Sequence, residues 1–426
     1  MSHIHSHKKK FFDKYLFNRY ETIKTQILPK VERERKYDFS NVLLLSNICE
    51  SDKLLEIMEL MFDINRVEIE NPYLFHTSVP SARGLQSNEI FLNIFIDQQK
   101  YTFFYIKSKQ DFVFIQKEKV VEKKNRVEIE LLYNHFSIGL YYGRFGFILS
   151  LLDLGHQLNH IEHTLSLYDI DDYTIEYLPK QDVRNININN LKLVKIELYS
   201  NLDINFKKEI KFEKIKNNEL QIFEYNDNYD EIFNRFIIET MSDDVIINRK
   251  DGKEIKIDNY REILKNRTSL QSYEGLHLME NEEGINIDLF LKENIKYTDR
   301  NEIVLLTIDI NNKQLFLNQN KLVDAYEKIN IENIFYDSKD YFDLDGINYV
   351  FLTLVKENYS SKTDLVNFIK SAEIMNKVTL FFSANEYMTR CFRNIDDKYV
   401  LSIFSDYDYV SYMQVAGNGG IKKYHL

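Results

Sequence analysis

The chain has 426 residues, 44 % of them hydrophobic, and a formal net charge of −11. That apolar content excludes a disordered chain and is enough for two ordinary domains or one domain built twice, while the acidic balance excludes a nucleic-acid surface, which needs clustered Lys and Arg. Two cysteines, Cys49 and Cys391, exclude a disulfide framework or a zinc knuckle and point to a reducing, cytoplasmic setting.

Met1 to Lys10 carries His3, His5 and His7 followed by three lysines, and reads as a disordered, solvated tail (1–10). Tyr20 to Glu34 is helical in pattern, and Asp52 to Phe62 is an amphipathic helix with Leu54, Leu55, Met58, Met61 and Phe62 on one face. A loop around Pro80 then feeds strands at Glu89 to Ile96, Tyr101 to Lys107 and Asp111 to Gln116. Phe147 to Tyr168 is a helix apolar nearly all round, which belongs in the middle of a fold. After Pro179 come a strand at Leu191 to Tyr199 and a polar stretch to about Asp230, where the domain boundary is expected. A helix at Glu231 to Met241, strands at Glu302 to Asp309 and Tyr349 to Val355, and a second long apolar helix at Asp364 to Phe382 make up the remainder. No run approaches the roughly 18 apolar residues of a membrane span, and no signal peptide opens the chain.

The same order of elements occurs twice. Tyr142 lies 13 residues before Gly155, and Tyr359 lies 13 before Ala372, so the two long helices start in one register. The interval from Arg33 to Tyr142 is 109 residues and that from Arg267 to Tyr359 is 92; the 17-residue shortfall falls where a counterpart of the Pro80 loop would be. The pattern predicts a tandem duplication with halves at 11–230 and 231–426, the second lacking that loop.

Arg267-Thr-Ser-Leu-Gln-Ser-Tyr-Glu-Gly275 ends a short helical run and offers an arginine and several hydroxyls, the donors a phosphate needs. It is similar to the Arg-Arg-Ser-x-Arg-x-Tyr motif of the SagB/McbC-type azoline dehydrogenases, with Thr268 and Gln271 in place of two arginines. Pro80-Ser-Ala-Arg-Gly-Leu-Gln86 is similar to that family's Pro-Ser-Ala-Gly-Gly-Leu-Tyr-Pro loop. Tyr141-Tyr-Gly-Arg-Phe-Gly-Phe147 stands where the family has Lys-Tyr-Gly, and Leu151-Leu-Asp-Leu-Gly-His156 is similar to its Leu-Leu-Glu-Ala-Gly-His helix.

The resemblance implies an α+β, nitroreductase-like fold, present here as two halves forming an internal pseudo-dimer, and an FMN-dependent oxidation of thiazolines or oxazolines to azoles in a ribosomally made precursor peptide. It implies cyclodehydratase (YcaO/ThiF-like) partners in thiazole-peptide biosynthesis, and leaves open whether two chains associate further. In the family one subunit supplies the phosphate motif and the other the Pro-Ser loop. Carried over, one composite cofactor site would use Arg267, Thr268, Ser269, Gln271 and Ser272 of the second half. Pro80, Ser81, Ala82, Gly84 and Gln86 of the first half would complete it, with Lys422 and Lys423 as additional phosphate partners. The counterpart motif at Arg33-Glu-Arg-Lys-Tyr-Asp-Phe39 has drifted, with Glu34 repelling a phosphate.

The family's proton step is credited to a Lys-Tyr pair. Here Tyr141 replaces the lysine and Tyr142 remains, with Arg144 as a cation able to lower a phenol pKa; Tyr142 is either the base or an aromatic cover for the flavin. In the second half Asn358 precedes Tyr359, and Lys296-Tyr297 falls outside the aligned position. His156, His160 and His163 share a helical face, yet no ligand set is completed around them and no metal is expected. A flavin-free homologue serving as a scaffold or peptide-binding subunit is the alternative reading.

Overall fold

Two separate antiparallel sheets organise the chain. The structure, a computed structural model, describes residues 2–20, 43–62, 64–67, 75–85, 87–121, 124–181, 191–199, 202–207, 231–243, 245–250, 259–267, 285–294, 302–322, 325–336, 347–357 and 360–417. It divides into two compact units, Met1–Ile257 with Ser360–Val366, and Asp258–Tyr359 with Asn367–Leu426.

The first unit opens with a helix, α1 (Ser2–Phe11), so the expected tail is helical over these residues. Helix α2 (Asp52–Phe62) has the expected bounds. A two-stranded ribbon of β1 (Ile64–Val67) and β2 (Phe75–Thr77) leads into the Pro80 loop. The sheet is built from β3 (Asn88–Ile96), β4 (Gln99–Ile106), β5 (Asp111–Lys119), β6 (Arg126–Tyr133), β7 (Tyr173–Tyr177), β8 (Lys192–Leu198) and β9 (Ile247–Lys250), in the order β5-β4-β3-β6-β8-β7-β9. β3 and β4 join through Asp97 and Gln98, both left-handed, the twist that a two-residue hairpin requires. Register sets Phe91 opposite Phe104 and Leu92 opposite Ile129.

Between β6 and β7 lie a short helix, α3 (His135–Tyr142), and the long helix α4 (Phe145–Leu167). Leu151, Leu154, Leu158, Ile161 and Leu165 of α4 are fully buried, as its all-round apolar pattern requires. Two of its polar residues show how it is tied in: His160 Nε2 lies 2.8 Å from the Leu60 carbonyl of α2, and Thr164 donates to the His160 carbonyl at 2.9 Å. Helix α5 (Glu231–Ser242) and β9, expected to open the second half, belong to this first unit. The reason is visible in the packing: Phe236 of α5 stacks on Phe11 of α1 with centroids 3.9 Å apart, and β9 pairs with β7.

The second unit has a six-stranded sheet of β10 (Ile303–Asp309), β11 (Gln314–Leu317), β12 (Asn320–Lys321), β13 (Tyr349–Val355), β14 (Met388–Phe392) and β15 (Tyr409–Gly417), in the order β12-β11-β10-β13-β15-β14. Leu306, Ile308, Val350, Leu352, Leu354, Val410, Met413 and Val415 form its apolar core. Helices α6 (Tyr260–Asn266) and α7 (Ile287–Asn294) precede the sheet; α8 (Ser361–Ala384) follows β13, its first turn grouped with the first unit, and α9 (Asp397–Ile403) lies between β14 and β15. Fully buried polar groups join α8 to the sheet: Ser371 and Ser411 are 2.7 Å apart, and Gln414 donates to Thr379 at 3.0 Å. Among the described residues no helix is long and apolar enough to cross a membrane.

Strand for strand, β5-β4-β3-β6-β8-β7 of the first sheet and β12-β11-β10-β13-β15-β14 of the second follow one path. The long helices end at Leu167 and Ala384, and the strands beside β6 and β13 begin at Lys192 and Tyr409; each pair is separated by 217 positions. Tyr142 and Tyr359 have the same separation.

Candidate functional site

The Pro80 loop is a backbone turn held by side chains from outside it. After Thr77, whose hydroxyl donates to the Val79 carbonyl at 3.2 Å, Ser81 is extended and Ala82–Gly84 makes one 3-10 turn. Gly84 sits at φ 63, left-handed territory that a residue with a Cβ rarely enters, which accounts for glycine here. Within the turn, Gly84 donates to the Ser81 carbonyl at 3.3 Å and Leu85 to the Ala82 carbonyl at 3.0 Å. The Ser81 hydroxyl closes it on the Leu85 carbonyl at 3.0 Å.

Two charged residues reach this turn. Asp153, from the middle of α4, accepts the Ala82 backbone N–H at 3.1 and 3.2 Å and the Ser87 hydroxyl at 2.7 Å. Lys107, just past β4, donates from Nζ to the Gly84 carbonyl at 3.0 Å. Burial pushes the Asp153 carboxyl up to about 7, against the two hydrogen bonds that favour its ionised form, and burial lowers the Lys107 ammonium from its ordinary value. Behind the turn is a cleft of about 60 Å³ bordered by Phe62, Leu85, Ile90, Tyr105, Lys107 and Gln157. Ser150, one turn before Asp153, donates to Asn88 Oδ1 at 2.6 Å with the Ser87 carbonyl 3.1 Å away, so α4 fixes the exit of the loop as well.

The Tyr141-Tyr-Gly-Arg run spans the end of α3 and the entry to α4. Asn134 caps α3 by accepting from the Ser137 N–H at 3.2 Å, and Gly143 at φ 55 breaks it. Tyr141 is exposed, and Tyr142 is half-buried with its ring edge-on to Phe145, 6.5 Å between centroids. Arg144 is buried, its guanidinium 4.7 Å from the centre of the Phe233 ring, and its charge bears on Tyr133 and His135.

In the second unit Arg267 is 6 % exposed and closes α6, its N–H donating to the Ile263 carbonyl at 2.8 Å. Thr268, Ser269, Gln271 and Ser272 lie outside the described residues, as do Gln86, Lys422, Lys423, Tyr359 and the Arg33 motif. Among the described residues no group of three or more His, Cys, Asp or Glu gathers as a metal site. Sequence reasoning passed over Asp153 and Lys107. Asp153 stood inside the quoted Leu-Leu-Asp-Leu-Gly-His run as the equivalent of a family glutamate, while a lysine after a strand gives no signal at all.

No family model and no curated protein matches this sequence. The fold is nitroreductase-like: a solved protein of Anabaena variabilis, assigned as a nitroreductase, superposes with a TM-score of 0.62 at 12 % identity, over 97 % of this chain and 99 % of that one. A chain of the E. coli microcin synthetase McbBCD complex, solved with truncated pro-MccB17 bound, aligns over 41 % of this chain and 76 % of its own at 12 % identity; its TM-score of 0.27 is too low to carry an argument.

Proposed function

We propose that the chain is an FMN-dependent oxidoreductase, and that its substrates are thiazolines and oxazolines in a ribosomally made precursor peptide. The observation that carries the first part is the nitroreductase-like fold over nearly the whole chain, with a strand order repeated in both units. The second part rests on the SagB/McbC-like motifs, and with them the expectation of cyclodehydratase partners.

Each end of the cofactor is assigned residues of its own, judged unit by unit. A turn of fixed backbone, half-exposed from Pro80 to Ala82, suits the edge of a flat ring system, and Arg267 is an always-charged donor suited to a phosphate. FMN, when bound, would accept the hydride that azoline oxidation releases. The chain's own tasks are to hold the peptide's ring against the turn and to take up one proton. Tyr142 is assigned the proton, with Tyr141 and Arg144 beside it in sequence.

Incubating the purified chain with FMN and an azoline-containing peptide tests the reading directly. Loss of two hydrogens per ring, seen by mass spectrometry and abolished in Arg267→Ala, is the expected outcome. FMN uptake without azoline turnover would keep the oxidoreductase and discard the substrate. If Arg33→Ala damaged FMN binding as much as Arg267→Ala, the single composite site would be wrong. Two variants separate the roles of Tyr142: Tyr142→Phe, which keeps the ring, lowers turnover with FMN retained if Tyr142 takes the proton, and Tyr142→Ala lowers FMN binding itself if the ring covers the flavin.

A further inference from the structure

The Ala82–Gly84 turn is too short to define itself. It contains two backbone hydrogen bonds and one left-handed glycine, and a single 3-10 turn of that kind is marginal in water. What fixes it lies on two other elements. At its start the Ala82 N–H is taken by the Asp153 carboxylate from α4, and at its end the Gly84 carbonyl is taken by the Lys107 ammonium after β4.

Neither residue is an economical choice for packing. Asp153 is 7 % exposed on a long helix buried nearly all round, and its polar partners include the turn and Ser87, three residues past Gly84. Placing a carboxyl there costs desolvation that a leucine would avoid. Asp153 and Lys107 border one cleft together with Leu85 and Ile90.

We propose that Asp153 and Lys107 are positioning residues that clamp the Ala82–Gly84 turn from opposite ends and present its backbone to the flavin ring. The consequence for FMN rests on the function proposed above; the clamping of the turn does not.

Arg83 lies inside the turn, which supplies a readout independent of flavin. The full-length chain and its Asp153→Leu, Asp153→Asn and Lys107→Met variants are digested briefly with an arginine-specific protease, and the cut after Arg83 is followed by mass spectrometry against cuts at other arginines. Cleavage in a folded protein reports local opening, and loss of a buried hydrogen-bond acceptor shifts such an equilibrium by about tenfold or more. Asp153→Leu and Lys107→Met are expected to speed the Arg83 cut by about tenfold with the other cuts unchanged. Asp153→Asn, which keeps an oxygen for the Ala82 N–H, should stay within about threefold of the parent and so act as the conservative rescue. FMN affinity, read from flavin fluorescence, should fall in the same order.

An unchanged Arg83 cut in Asp153→Leu, an Asn variant as open as the Leu variant, or equal acceleration at every arginine would overturn the clamp. Should Asp153→Leu fail to fold, Lys107→Met decides from the other end of the turn. A chain that takes up no FMN in any form would remove the proposed function while the protease pattern still judges the clamp.

Discussion

His135 is held neutral by its surroundings. Burial pushes its pKa down to about 3, and the Arg144 guanidinium adds to the shift. Tyr133, raised by burial, keeps its proton, and its hydroxyl is hydrogen-bonded to His135 Nδ1 across 3.0 Å. Because the unfolded chain binds a proton at His135 below about pH 6.5 and the folded chain does not, this residue removes stability as pH falls, by about 1.4 kcal/mol per unit. Asp153 acts in the opposite sense. Its folded pKa of about 7 lies above its ordinary value of 3.8, so the native state binds the extra proton between those values, and stability is lost as pH rises through that window. The two slopes oppose each other between about pH 4 and 6.5. Asp153→Asn should therefore uncover the His135 slope, and urea midpoints taken across that range should fall more steeply on acidification than in the parent; parallel curves would contradict the assignment. Gly139 gives a second test. A Cβ there would meet His135 Cε1 at 2.5 Å, so Gly139→Ala should cost about 1–3 kcal/mol through overpacking, although alanine is the better helix former by about 1 kcal/mol. Thermal denaturation showing a stabilised variant would mean that the ring yields.

At the scale of elements, α1 shows where sequence reasoning stopped short. Ser-His-Ile-His-Ser-His-Lys-Lys-Lys-Phe reads as solvated, yet Lys8 is 1 % exposed and pairs at 2.6 Å with Asp364, which is fully buried at the start of α8. His7 meets Glu239 of α5 at 2.6 Å, and Phe11 stacks on Phe236. A buried ion pair between residues so distant in sequence leaves no periodic trace, and this is the kind of contact a pattern search misses. Asp364→Ala would leave the Lys8 ammonium buried with its carboxylate removed, an expected loss of about 3–5 kcal/mol. Replacing both by apolar residues, Lys8→Met with Asp364→Leu, should return most of that in chemical denaturation; a double variant no better than Asp364→Ala would show that the pair is not the source of the loss. By contrast, α4 was legible because a helix buried on every side is apolar nearly all round, and α8 from its long apolar run. The strands from Asn88 to Lys119 were legible from their β-branched and aromatic content. Strand β6 was not, because Arg126, Glu128 and Glu130 alternate with Val127, Ile129 and Leu131, and its charged face resembles solvated surface until Asn93 and Lys192 are seen pairing with it.

At the scale of the whole molecule, the repeated strand order and the common separation of 217 positions support one ancestral unit used twice. The Tyr142 and Tyr359 spacing anticipated that alignment; the boundary between units did not follow from it, because α5 and β9 carry an unremarkable polar linker pattern before them and are claimed by packing onto α1 and pairing with β7. The candidate site was legible only as motifs. What orders the Pro80 turn comes from residues 107 and 153, far from it in sequence, and that link exists only once the strands and α4 have been laid side by side. We propose that the chain holds a single flavin, a reading open to direct test. Its most direct test is the absorption of the purified protein between roughly 350 and 500 nm, where a bound flavin absorbs, with the chromophore released by heat and quantified per chain. About one FMN per chain is the expected result. Two per chain would show that the Arg33 motif still works, and none after incubation with excess FMN would contradict the account and leave the scaffold reading in its place.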